Sequence, residues 1–239
     1  SNISVRSSKE VYFKASDFSL QYNYNFTYPS KNSDINPLGR NIDLIFDYEL
    51  SQINPSLSVN DNGTISTDYE DRDLFKFYGM WQEAIGLFKN QSLTLKLSGG
   101  TIFGPPVESF YDFYATGLPG MKGYPFYALG GGRMAVANLT YRIPLFTNID
   151  TRISPLYLDK LFFSVYGDFG NAWNGSATKL DQFKSDIGAQ LRLQAFSYYV
   201  FPTSFFVDAA YGFNEFSNVV QNETVTYGKE WNFYLGILF

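Results

Sequence analysis

The chain has 239 residues, with 24 Phe, 19 Tyr and 3 Trp, no His, no Cys, and a net charge of −5. The lack of His and Cys excludes Ser-His-Asp and Cys-His nucleophiles, thiolate zinc sites, imidazole ligation of haem and disulfides. The acidic balance argues against a nucleic-acid-binding surface, which requires a basic stripe.

Apolar residues recur at every second position, which is the period of a β-strand. Between positions 17 and 28 the even positions are all apolar or aromatic, from Phe18 to Tyr28, and the odd positions are polar. The alternation predicts nine strands, at 11–28, 39–52, 75–88, 91–103, 133–145, 160–170, 186–197, 203–213 and 229–239. Several reach the length needed to cross a bilayer at a tilt, about 9–11 residues, whereas globular strands have about 5–6. The lengths therefore favour a membrane barrel over a soluble sandwich.

The predicted connections alternate in length along the chain. Those at one end are long, at 53–74, 104–132, 171–185 and 214–228, and those at the other end are shorter, at 29–38, 89–90, 146–159 and 198–202. Long outer loops and shorter inner turns are typical of outer-membrane barrels, which have even numbers of strands. Nine strands are an odd number, so we expect either one more strand near positions 3–8 or a chain that forms part of a larger barrel.

The connection 104–132 has an unusual composition for an exposed loop. It reads GPPVESFYDFYATGLPGMKGYPFYALGGG, with many glycines and aromatics and few charges. We therefore expect it to fold back into the lumen of the barrel. Four motifs lie in this loop and the two strands after it: Lys122-Gly123-Tyr124, Gly130-Gly131, Tyr141-Arg142-Ile143-Pro144, and an aromatic-x-Asp-x-Gly pattern at Tyr166, Asp168 and Gly170.

In this order the motifs resemble the barrel of the BamA-like superfamily, which includes outer-membrane insertases, two-partner secretion transporters and the bacterial surface antigen family. The resemblance covers residues 104–239, and earlier residues fit by strand pattern alone. It implies an all-β fold, in which residues 1–239 form the C-terminal portion, about nine to ten strands, of a 16-stranded transmembrane antiparallel β-barrel. The missing strands and further domains would precede Ser1.

The resemblance also implies a contact between the loop and the wall. In the family a loop arginine enters the lumen and pairs with the aspartate of the wall motif. Lys122 stands at the arginine position, so an ion pair between Lys122 and Asp168 is expected, without the bidentate fork that arginine makes. The alternation places Asp168 on the polar face of its strand, as this contact requires. Gly130 and Gly131 are expected to allow either a positive φ or a close approach.

The last strand carries a further pattern. Its apolar residues alternate back from the final position, and they resemble the signal by which barrel substrates are recognised for outer-membrane assembly: Trp231, Phe233, Leu235, Ile237 and Phe239. Such a strand could add to a sheet by edge pairing while its aromatic face meets lipid.

The resemblance implies a protein of the bacterial outer membrane that inserts or translocates polypeptides. Its expected partners are the lipid bilayer, unfolded or secreted polypeptides and accessory lipoproteins, with no nucleic acid, no cofactor, no metal and no enzymatic activity. Two alternatives stay open. The barrel would be an anchor or translocator for an upstream patatin-like hydrolase or propeller domain, or it would be a passive porin.

Overall fold

The computed structural model of the chain consists of strands joined by turns and loops. It describes residues 13–30, 32–33, 35–54, 57–59, 65–67, 69–105, 109–176, 178–198, 200–220 and 223–238. Within these ranges no helix is long and apolar enough to cross a membrane. The helical segments described are single 3₁₀ turns at Phe88–Asn90, Ser109–Tyr111 and Leu180–Gln182.

The described strands form one large sheet and three two-stranded sheets. In chain order they are β1 (Phe13–Tyr28), β2 (Leu38–Ile53), β3 (Leu57–Val59), β4 (Ile65–Thr67), β5 (Glu70–Gly86), β6 (Ser92–Phe103), β7 (Phe113–Tyr114), β8 (Gly130–Gly131), β9 (Arg133–Phe146), β10 (Thr151–Ile153), β11 (Leu156–Trp173), β12 (Lys184–Ser197), β13 (Phe201–Gly212), β14 (Phe216–Val220), β15 (Glu223–Tyr227) and β16 (Trp231–Leu238).

The large sheet has ten strands, and its nine long strands follow one another in chain order. The order is β1-β2-β5-β6-β9-β11-β12-β13-β16, with β10 paired to β11, and the pairings are antiparallel. In the part of the chain that the structure describes, β1 and β16 each pair on one side only, so the sheet has two open edges. The described residues of the connections 54–69, 104–132, 174–183 and 213–230 lie at one end of the sheet, the long-loop end. The opposite end is the short-turn end.

The two faces of the sheet differ because side chains alternate along each strand and paired residues share a face. One face, the loop face, is covered in part by residues 109–132. The other, the open face, exposes aliphatic side chains in its middle, among them Leu97, Leu139, Leu191, Val207 and Leu235. The loop face is polar at the matching positions, with Lys96, Asn138, Asp168, Gln190 and Asp208.

Residues 113–129 of the long connection form the main apolar cluster against the loop face. Their buried side chains pack on wall residues of β9 and β11, together making the set Phe113, Ala115, Met121, Tyr124, Ala128, Leu129, Met134, Val136 and Ala172. Gly100 gives room for the Phe113 ring, since a Cβ there would lie 2.6 Å from it. Burial of this apolar surface stabilises the folded-back course of the connection.

A second segment crosses the loop face at the short-turn end. Ile35 and Asn36, between β1 and β2, are each under 5% exposed. Arg142 Nη1 donates to Ile35 O at 3.3 Å and to Asn36 Oδ1 at 3.1 Å, and Ser92 Oγ also donates to Asn36 Oδ1. These bonds hold the β1–β2 turn against the floor of the sheet.

The prediction of an all-β, antiparallel fold is confirmed, and each of the nine predicted strands overlaps a long strand of the sheet. β5 begins at Glu70 rather than at 75, because the ladder to β2 continues through charged residues, with Gln52 Nε2 donating to Asp71 at 2.8 Å. β11 begins at Leu156 rather than at 160. The pairs β3–β4 and β14–β15 were not predicted. The possible strand at 3–8 and Phe239 lie outside the described residues.

Candidate functional site

The motif Lys122-Gly123-Tyr124 lies on the loop face, where three strands bind its main chain. The Lys122 N–H donates to Asp168 Oδ2 at 3.3 Å, and the Gly123 N–H donates to Asp186 Oδ2 at 2.8 Å. On the other side, Tyr234 donates its hydroxyl to Lys122 O and Asn232 donates its amide to Gly123 O, both at 2.9 Å. We call this arrangement the tripeptide site. Strands β11, β12 and β16 thus bind the three residues through backbone groups.

Two buried carboxylates form the acceptor side of the tripeptide site. Asp168 and Asp186 are directly paired across β11 and β12, and each is 3% exposed. Asp168 also accepts from Asn138 Nδ2 at 2.8 Å, and that amide in turn donates to Gly120 O at 3.2 Å. Two buried carboxyl groups side by side do not both ionise, but a carboxyl oxygen accepts an N–H hydrogen bond in either state, and burial strengthens that bond. The carboxylates therefore fix the loop at a defined position on the sheet.

The Lys122 side chain does not make the expected ion pair with Asp168. Its Nζ lies 3.6 Å from the centre of the Tyr166 ring, in a cation–π contact, and the Asp168 contact is made by the Lys122 main chain instead. Tyr166, 3% exposed, donates its hydroxyl to Asp208, which also accepts from Gln190 Nε2 at 2.9 Å. A lysine amine is a compact charge without the planar fork of arginine, and the face of an aromatic ring satisfies it.

Tyr124 anchors the other end of the motif. Its side chain is fully buried, and its hydroxyl donates to Ser185 O at 2.9 Å while accepting the Asn214 N–H at 3.0 Å. Burial raises the pKa of the Tyr124 hydroxyl, so the group stays protonated and keeps donating at neutral pH. Both partners lie at the long-loop end, where β12 begins and β13 ends.

The glycines of the motifs are required for close approach. A Cβ at Gly123 would lie 2.9 Å from both Asp186 Cγ and the Gly212 nitrogen. Gly130 pairs with Tyr114 and Gly131 pairs with Phe113, and neither glycine has a positive φ. A Cβ at Gly130 would lie 2.7 Å from the Tyr114 ring, and a Cβ at Gly131 would lie 2.6 Å from the Trp173 main chain. Gly130 and Gly131 therefore allow a close approach of neighbouring groups rather than a positive φ.

The remaining predicted residues lie away from the tripeptide site. Gly170 lies in β11 against β9, where a Cβ would be 2.9 Å from Ala135 O. Tyr141 points to the open face, with its hydroxyl donating to Gln91 Oε1 at 2.6 Å, while Arg142 lies on the loop face at the short-turn end. Pro144 pairs with Phe162 beside a bulge in the β9–β11 ladder.

The terminal strand has a role that its apolar residues did not indicate. Trp231, Phe233, Leu235 and Ile237 are on the open face, more than half exposed. The alternate positions, Asn232 and Tyr234, face the loop and bind it. Sequence reasoning missed these two residues, and it also missed Asp186 and Asn138. The alternation does place Asp186 on the same face of the sheet as Asp168, on the next strand of the chain. An acidic residue at such a position is a candidate neighbour of Asp168.

The chain matches no protein-family model, and no curated protein matches its sequence. What the site does must therefore follow from its own chemistry. Buried carboxylates on the sheet accept from main-chain donors on the loop, and a cation lies on an aromatic ring. Such a site positions a segment of chain.

Proposed function

We propose that the chain forms part of a transmembrane β-barrel of the bacterial outer membrane, of the BamA-like superfamily, which inserts or translocates polypeptides. The observation that carries the proposal is the docking of Lys122-Gly123-Tyr124 on Asp168 and Asp186. The resemblance in sequence placed this loop motif opposite Asp168, and the two are in contact. In this proposal the loop face lines an aqueous lumen and the open face meets lipid.

The side chains of the open face support the lipid contact. Aromatic residues lie toward the long-loop end, at Phe75, Phe103, Phe169, Tyr211 and Trp231, and toward the short-turn end, at Phe26, Tyr28, Tyr141, Phe146 and Phe201. Aliphatic side chains lie between the two groups. Aromatic girdles on either side of an apolar band are typical of outer-membrane barrels.

The spacing of the two aromatic groups supports the same contact. Along β13, Phe201 and Tyr211 are ten residues apart on the same face. At about 3.3 Å per residue and a tilt of about 40°, they are separated by about 25 Å along the membrane normal. This matches the apolar band of outer-membrane barrels, about 25 Å tall.

The open edges of the sheet support a larger barrel. β1 and β16 each carry a row of backbone groups that no described strand pairs. In hydrocarbon each unpaired N–H or C=O costs several kcal/mol, so a spanning sheet must close. In this proposal, further strands of the full-length protein lie between β16 and β1 and complete the barrel.

The proposal is tested in host cells depleted of the protein and complemented with variants of the full-length gene. Wild type and Gly167→Ala are expected to restore the outer-membrane level of other barrels, or of a secreted protein. Gly123→Ala, which disturbs the tripeptide site, is expected to fail although its own outer-membrane level is normal. A Cβ at Gly167 meets nothing closer than 3.6 Å, so this variant is the matched control.

Two results would contradict the proposal. In the first, depletion leaves the levels of other outer-membrane and secreted proteins unchanged, as expected of an anchor or a porin. In the second, Gly123→Ala restores those levels fully. If Gly123→Ala does not accumulate, Asn232→Ala replaces it, because this change removes one loop contact and leaves no clash. The same two results then apply to Asn232→Ala.

A further inference from the structure

A cavity of about 340 Å³ lies on the loop face, between the tip of the docked loop and the β1–β2 turn. Strands β5, β6, β9 and β12 supply its floor. Its neutral lining is rich in hydrogen-bonding groups, including Gln82, Thr94, Asn138 and Thr140. The cavity thus adjoins the tripeptide site and shares Lys122 with it.

The cavity is lined by four cations and by no carboxylate among the described residues: Lys96, Lys122, Arg142 and Arg192. The four come from different elements, since Lys122 is on the loop and the others are on β6, β9 and β12. Like charges gathered around one cavity repel each other, and the repulsion grows as water is excluded. A bound anion would relieve it.

The known contacts of three of these cations are with neutral groups. Lys96 Nζ donates to Pro119 O at 3.2 Å, Arg142 Nε donates to Ser164 Oγ at 3.2 Å, and Lys122 lies on the Tyr166 ring. Among the described residues, no carboxylate lies within 4.0 Å of a charged nitrogen of any of the three. These three side chains therefore make no direct ion pair with a described carboxylate, although Asp168 and Asp186 of the tripeptide site lie near Lys96 and Lys122.

We propose that this cavity binds a small multivalent oxyanion, of the phosphate or polyphosphate class. Arg142 donates from Nε and Nη1 to Ser164, Ile35 and Asn36, so its Nη2 group is the part that would meet an anion. Arg192 adds a second guanidinium charge, two lysines offer compact charges, and the threonine hydroxyls and the glutamine amide offer neutral donors, a set that suits tetrahedral oxyanions. Because Lys122 and the Lys96–Pro119 contact belong to the loop while Arg142 and Arg192 belong to the wall, the anion would join loop and wall. The proposal does not depend on polypeptide transport.

The test is a calorimetric titration of the full-length protein, purified in detergent, with inorganic pyrophosphate at constant ionic strength. Saturable binding to one site is expected. Lys96→Gln and Arg192→Gln are each expected to weaken it about tenfold or more, since each removes a charge-assisted contact. Lys96→Arg, which keeps the charge, is expected to restore most of the affinity. Lys89→Gln, at an exposed lysine in the β5–β6 turn, is the matched control and is expected to bind like wild type.

The proposal fails if pyrophosphate does not bind saturably, or if Lys96→Gln and Arg192→Gln bind as well as wild type. It also fails if Lys89→Gln weakens binding as much as they do, because the effect would then reflect net charge rather than the cavity. Lys96→Arg separates the effect of charge from an effect on folding. If Lys96→Gln and Lys96→Arg lose the same affinity for pyrophosphate, the lysine acts only in the structure, and the proposed contact between its charge and the anion is wrong.

Discussion

Gly123→Ala is expected to release the long loop from the sheet. The added Cβ would lie 2.9 Å from Asp186 Cγ and from the Gly212 nitrogen, so the loop or β12 must move. Overpacking of this kind costs about 1–3 kcal/mol. Movement would also weaken the bond from the Gly123 N–H to Asp186, and a buried carboxylate that loses a partner adds to the cost.

Hydrogen–deuterium exchange of the peptide that contains residues 122–124 measures this release. A docking penalty of about 1–3 kcal/mol corresponds to exchange about 5–150-fold faster. Gly167→Ala, at an open-face glycine of β11 beside the same site, is expected to exchange like wild type. Unchanged exchange in Gly123→Ala, or equal acceleration in both variants, would mean that the contacts at Gly123 do not hold the loop.

Leu235→Arg is expected to destabilise the folded protein in lipid by about 2–4 kcal/mol. Leu235 is 83% exposed on β16, between the two aromatic groups, so in water an arginine there would be nearly neutral. In a bilayer the same position requires the charge to enter the apolar band. The substitution therefore separates a lipid-facing surface from a water-facing one.

The measurement is a guanidinium titration of the full-length protein in phospholipid vesicles, followed by tryptophan fluorescence. Leu180→Arg is the matched control, because Leu180 is 75% exposed in the connection between β11 and β12, beyond the aromatic residues. It is expected to change stability by no more than about 0.5 kcal/mol. Equal stability of Leu235→Arg and wild type would place the open face in water.

The sequence predicts the strands well because the side chains of a strand alternate between two environments. Positions such as Phe18 to Tyr28 alternate without interruption, and β1 is found there. The prediction weakens where charged residues extend a ladder, as at Glu70–Gly86, since alternation of polarity ends before the hydrogen bonds do. Short hairpins in the loops, such as β14–β15, bury too little surface to leave a clear period.

The site was predicted only in part, for a different physical reason. The motifs identify Lys122, Tyr124 and Asp168; Lys122 contacts Asp168, while Tyr124 binds Ser185 and Asn214 at the long-loop end. The sequence does not identify Asp186, because the alternation gives the face of the sheet on which a residue lies but not its partner on the next strand. A shift of the strand by two residues would change every partner and leave every side chain on the same face. The use of the Lys122 main chain in place of its side chain depends on where the loop backbone lies, which no pattern of residues specifies.

The central claim is that the open face meets lipid while the loop face meets water, and single spin labels on β12 test it most directly. This chain has no cysteine of its own, so one introduced cysteine at each of positions 190–193 gives one label. In vesicles, labels at Leu191 and Leu193 are expected to be accessible to oxygen, which concentrates in lipid. Labels at Gln190 and Arg192 are expected to be accessible to a water-soluble nickel chelate. Uniform access of the chelate to all four positions, or the reverse alternation, would contradict the account.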